Sequence, residues 1–137
     1  MTVPESIVAW LKGFQSEQKI SKIDIDILRA GSIKYALVKE PIQNVKSYLS
    51  GKKEYTNHYT FTACLPSVNS EECNDNTKFG EALEEWVREK NKKEEYPDIE
   101  EAVVKNITIT TPFYLGITQE QNSVYQMTIA IKYVKEK

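Results

Sequence analysis

Apolar and polar residues alternate with a period of two through two runs near the C-terminus, residues 103–111 and 124–133. In the first run Val103, Ile107, Ile109 and then Phe113 share one face, with Asn106, Thr108 and Thr110 on the other. In the second, Tyr125, Met127, Ile129, Ile131 and Tyr133 share a face, and Gln126, Thr128 and Lys132 point away. A period of two among β-branched and aromatic residues predicts half-buried strands. Pro112, Gly116 and the polar residues 118–123 predict a connection longer than a two-residue turn. The two runs are therefore expected to form an antiparallel hairpin whose apolar face floors the core.

Upstream, the period changes twice to that of a helix. Val3, Ile7, Trp10, Leu11 and Phe14 fall on one helical face. Thr2 and Glu5 are placed for a capping box and Pro4 sits in the first turn, while Gly13 is expected to end this helix. Trp10 is expected to pack in the core rather than anchor an interface. Phe79, Ala82, Leu83, Trp86 and Val87 recur at the same spacing, with Glu81, Glu84, Glu85, Arg88, Glu89 and Lys90 outside. This predicts a second, longer helix with a Glu84–Arg88 ion pair, candidate caps at Ser67, Ser70, Asn74 and Asp75, and a break at residues 91–97.

Between the helices the alternation returns. Residues 23–28 alternate apolar and acidic, Gly31 and Ser32 predict a turn, and residues 33–38 predict a second strand ended before Pro41. Residues 45–49 lead into a turn at Ser50-Gly51-Lys52-Lys53. A long strand then places Tyr55, Tyr59, Phe61, Ala63 and Leu65 on one face and Thr56, His58, Thr60, Thr62 and Cys64 on the other. The order is α+β: a mixed, mainly antiparallel β-sheet packed by two α-helices and closed by a C-terminal β-hairpin, with residues 1–137 as a single domain.

Composition narrows the function classes. A net charge of -2 argues against a protein whose main task is to grip nucleic acid through its phosphates. No apolar run reaches the roughly 20 residues that span a bilayer, and the N-terminus lacks the pattern of a signal peptide. Synthesis in the cytoplasm is therefore expected, with Cys64 and Cys73 as free thiols.

Candidate chemistry is sparse. His58 is the single histidine, and a nucleophile–base pair would need it beside Cys64 or Cys73. Cys64 lies on the same strand face but roughly 20 Å away, at about 3.3 Å per residue. Asp24 and Asp26 share a strand face without a third ligand, so a solvated face is expected rather than a metal site. The chain has no Cys-x-x-Cys, no His-x-x-x-His and no Gly-rich phosphate loop, and Glu84-Glu85 and Glu94-Glu95 single out no acid–base pair. No catalytic residue, cofactor or metal is expected, and the protein is expected not to be an enzyme.

Several segments together carry a family resemblance: Glu5-Ser6-Ile7-Val8-Ala9-Trp10-Leu11, Asn44-Val45-Lys46-Ser47-Tyr48-Leu49-Ser50-Gly51, Tyr59-Thr60-Phe61, Glu84-Glu85-Trp86, Thr111-Pro112-Phe113-Tyr114-Leu115-Gly116 and Tyr125-Gln126-Met127-Thr128-Ile129. They resemble small minor capsid or tail proteins of siphophages and prophages of Gram-positive bacteria, a group similar to the tail terminators. The resemblance spans nearly the whole chain, and its pieces are structural signatures rather than active-site motifs. It implies a structural virion protein, synthesised in the bacterial host cytoplasm, that forms a homo-oligomeric ring, typically a hexamer, at the head–tail junction. Its implied partners are phage tail-tube and head-connector proteins, with no membrane and with DNA only passing through the ring lumen. On that basis residues 39–53 and 114–123, read as polar loops bearing Tyr48 and Tyr114, are candidate contact elements. Some members carry a chloramphenicol-resistance label, but His58 is followed by Tyr59-Thr60-Phe61-Thr62 and lacks the aspartate of the acetyltransferase His-x-x-x-Asp pattern. The alternatives are a head-completion or connector protein, or a small monomeric binding or catalytic α+β domain with a closed pocket around His58 or Cys64.

Overall fold

The computed structural model describes residues 2–18, 23–25, 34–118 and 122–135. They form helix α1 (Val3–Gln18), strands β1 (Ile23–Ile25), β2 (Lys34–Ser47) and β3 (Lys53–Pro66), helix α2 (Ser70–Lys92), and strands β4 (Ala102–Thr118) and β5 (Asn122–Lys135). The five strands make one sheet in the order β1-β2-β3-β5-β4. β1 runs parallel to β2, and every other neighbouring pair is antiparallel. The α+β architecture read from the alternation is thus the observed one. The expected extension of β1 through residues 26–28 and the turn at Gly31 and Ser32 lie outside the described residues.

One face of the sheet carries the core. Tyr59, Phe61, Ala63 and Leu65 of β3 and Tyr125, Met127, Ile129, Ile131 and Tyr133 of β5 are buried there under Ile7, Leu11 and Phe14 of α1 and Leu83 and Val87 of α2. Aromatic rings join the layers. Trp10 meets Trp86 at 4.7 Å, Phe14 meets Phe79 at 5.6 Å, and Phe79 meets Phe113 at 5.8 Å. Trp10 is half-buried in this layer, and its indole N–H donates to the Glu95 carbonyl at 2.7 Å. Asn57, on the same face as Tyr59, is a polar member of the buried set, 2% exposed.

Both helix starts are built by side chains. Thr2 and Glu5 form the expected capping box: the Thr2 N–H donates to Glu5 Oε1 at 3.0 Å, and the Glu5 N–H donates to Thr2 Oγ1 at 3.3 Å. The hydrogen bond from the Thr2 N–H, with the Thr2 hydroxyl adding to it, holds the Glu5 carboxyl below its ordinary range. α1 does not stop at Gly13 but runs to Gln18. Gly13 instead permits close helix packing, because a Cβ there would sit 3.1 Å from Cζ2 of Trp86. The cap of α2 is Asn69, whose side chain accepts from the Glu72 N–H, so Ser70, Asn74 and Asp75 lie inside the helix instead of capping it.

Three further expectations give way to bulges. β2 continues through Pro41, since Lys39 pairs with Tyr59 and Gln43 with Asn57. Residues 40–42 therefore face His58 alone, and a bulge tolerates a residue without an N–H. β4 likewise runs past Pro112 and Gly116, with register shifts at both, so residues 114–118 are strand rather than loop. A further shift between Val104 and Asn106 changes the parity of β4. Val104 thereby packs toward the core, and Val103, expected in the core, is 62% exposed.

Candidate functional site

The catalytic alternatives find no shared site. His58 is half-buried on the sheet face away from the helices, and Cys64 is buried further along that face. Burial raises the Cys64 thiol above its ordinary value, which disfavours the thiolate that nucleophilic chemistry needs. Cys73 is exposed in the first turns of α2, with Sγ 3.9 Å from the Ser67 carbonyl, and so lies on the helix side of the sheet. Asp26 and the side chain of Asp24 lie outside the described residues. Among the described residues no three metal-ligating side chains cluster, and no helix is long and apolar enough to cross a membrane.

The threonine-rich face is less wet than its composition suggests. Thr60 and Thr62 are only 7% and 5% exposed. They stand on interior strand β3 between β2 and β5, where neighbours on both sides shade a short side chain. Thr60 bonds Glu40, which the β2 bulge carries, and contacts Thr128 at 3.3 Å.

Among the described residues, exposed large apolar side chains lie instead at the two ends of the sheet. At one end the β2–β3 hairpin carries Val45, Tyr48 and Leu49, 50%, 40% and 110% exposed. Its turn closes through Gly51 N–H to the Tyr48 carbonyl at 3.0 Å and Tyr48 N–H to the Lys52 carbonyl at 2.9 Å. Gly51 has φ 93°, the left-handed region that favours glycine. At the opposite end β4 exposes Tyr114, Leu115 and Ile117, at 45%, 50% and 59%.

Beside that second patch, α2 and β4 enclose an open groove of about 470 Å³. Phe113, Leu115 and Tyr125 form its sheet wall, and Cys73, Gly80, Glu81 and Glu84 its helix wall. The upper part of α2 is pinned to the sheet by Asn76 Nδ2, which donates to the Pro66 carbonyl at 2.8 Å and lies 3.3 Å from the Tyr125 hydroxyl. Glu84 accepts from the Phe113 N–H at 2.9 Å and pairs with Arg88 at 3.4 Å.

Of the two segments expected as contact elements, residues 45–53 and 114–118 lie at exposed ends of the sheet, as hairpin and strand rather than polar loop, while residues 39–44 run along β3; residues 119–121 fall outside the described residues. Tyr48 and Tyr114 are exposed there. Leu49, Leu115 and Ile117 were not singled out from the sequence. The available signal was an apolar residue next to Ser50-Gly51 in a turn, where polar residues are the usual choice. No protein-family model and no curated protein matches the chain.

Proposed function

We propose that this protein is a structural subunit of a phage virion, a tail-terminator or tail-completion protein that assembles into a ring at the head–tail junction. The observation that carries the reading is the placement of exposed apolar side chains at the two opposite ends of one sheet. A subunit with two separate adhesive ends suits a closed ring of identical copies. The family resemblance of the sequence supports the same assignment. The work on this reading is binding: copies join side by side, and the ring meets the tail tube on one side and the head connector on the other.

The test has two parts. Light scattering after gel filtration, over a range of protein concentrations and followed by imaging, is expected to give a ring, with six copies as the expected number. Mixed with a polymerising tail-tube protein, the ring is expected to bind tube ends and arrest their growth. A chain that binds no tube end, with its own assembly intact, would overturn the assignment.

A further inference from the structure

We infer that the copies join head to tail, with the β2–β3 hairpin tip of one seated in the α2–β4 groove of the next. This deepens the proposed function and rests on it only in taking the occupant of the groove to be a second copy.

Three observations lead there. The first is the tip itself. Leu49 is fully exposed beside half-exposed Val45 and Tyr48, and an apolar apex on a tight turn is stabilised only where something covers it. The second is complementarity. The tip carries exposed Lys46 and Lys53, and its nearby carboxylate Glu54 is already held by Tyr48 and Lys132. The groove has an apolar wall of Phe113, Leu115 and Tyr125 and exposed Glu81 on its rim, while Glu84 beside it is already engaged by the Phe113 N–H and Arg88. An apolar, basic tip thus meets an apolar, acidic groove.

The third observation is distance. Lys53 adjoins the tip, and Ala63 pairs with Tyr125 beside the groove. Between them β3 rises roughly 30 Å, at about 3.3 Å per residue. The tip cannot reach the groove of its own chain. A contact between unlike surfaces is heterologous, so it either closes into a ring or runs on as a filament.

Cys73 lines the groove and is exposed, whereas Cys64 is buried, which allows a direct test on the full chain. A Leu49→Cys variant treated with a short bismaleimide is expected to give a ladder of linked multimers. Leu49→Cys/Cys73→Ser is expected to lose the ladder. The native chain, whose one exposed thiol sits in the groove roughly 30 Å from its own tip, is expected to give no ladder.

A second measurement follows assembly by light scattering. Leu49→Asp and Leu115→Asp alter exposed residues and are expected to leave the thermal unfolding of the subunit unchanged. Each is expected to raise the concentration for half-assembly at least tenfold. Mixed one to one, they retain a single intact tip–groove pair and are expected to stop at two copies. Glu81→Lys is expected to restore assembly to a Lys53→Glu variant.

Oligomers that form without a Leu49→Cys ladder, and that ignore both aspartate variants, would overturn the contact while leaving the ring assignment standing. Assembly through the tip without any tube binding would do the reverse. A native chain that stays monomeric at every concentration overturns the contact, and so does a groove that takes up only some other protein.

Discussion

The ring of Phe113 lies against Gly80, so close that a Cβ on Gly80 would come within 2.1 Å of Phe113 Cδ1. The ring has little room to retreat, because it stacks on Tyr125 at 5.3 Å and meets Phe79 edge-on at 5.8 Å. One turn along α2, Glu84 accepts from the Phe113 N–H. This pair sets how closely the helix approaches the edge strand and thereby the width of the groove.

Gly80→Ala is accordingly expected to destabilise the fold. Alanine gains roughly 1 kcal/mol of helix propensity over glycine, but overpacking typically costs about 1–3 kcal/mol, and an overlap of this size puts the net loss on the side of overpacking. Urea unfolding should show a lower midpoint at unchanged slope. Adding Phe113→Leu should recover part of the loss; no recovery would mean that the ring is not what the new methyl meets.

Asn57 carries a second prediction. Its Nδ2 donates to the Tyr133 hydroxyl at 3.0 Å, and its Oδ1 accepts from Gln43 Nε2 at 2.6 Å. Asn57→Leu strands the buried tyrosine hydroxyl, and an unsatisfied buried polar group costs about 1–3 kcal/mol. Removing both partners is cheaper than removing one, so Asn57→Leu/Tyr133→Phe should be more stable than Asn57→Leu alone. Equal stabilities of the single and double variants in urea unfolding would argue against a bond of consequence.

What the sequence revealed, and what it hid, follows from how locally each feature is encoded. The capping box at Thr2 and Glu5 and the apolar faces of α1 and β5 are written in neighbouring residues and appear as read. Pro41, Pro112 and Gly116 read as strand breakers because propensity assumes a regular ladder, and bulges absorb all three. Val103 was misplaced for the same reason, since one unpaired residue reverses every face before it. The groove was not legible at all. It exists because Gly80 and Phe113, far apart in the chain, meet across α2 and β4, and no local period records that. Leu49 was visible as a letter, but its meaning depends on a turn whose exposure only the fold establishes.

Alkaline pH should weaken the fold through buried phenols and a buried thiol. Burial raises Tyr35 above its ordinary 10.0. Burial also raises Tyr133, the nearby Tyr55 adding to this and the Asn57 hydrogen bond working against it. Burial raises Cys64 above 9.0. A folded-state value above the unfolded one means that the unfolded chain releases its proton first as pH rises. The stability contribution is then complete below the unfolded value and is lost as pH climbs through the folded one. Urea midpoints should stay level with respect to these groups up to about pH 9 and fall above it. Tyr133→Phe should flatten that fall; an unchanged alkaline slope would show that Tyr133 titrates alike in both states.

The edge strand β4 gives the last prediction. Its outward N–H groups would offer a template for pairing with another chain. α2 closes two of them: Asn91 Oδ1 accepts from the Ile107 N–H at 2.9 Å, and Glu84 Oε1 accepts from the Phe113 N–H at 2.9 Å. Each bond contributes about 1 kcal/mol, and its larger effect is to keep the middle of β4 unavailable for pairing. Glu84→Ala/Asn91→Ala is therefore expected to lower the urea midpoint modestly and to promote disordered association under mild heating, read as a rise in scattered light. Asn91→Asp keeps an acceptor and should behave as the native chain. If the double alanine variant scatters no more light than the native chain, the long edge is protected by its bulges and not by the helix.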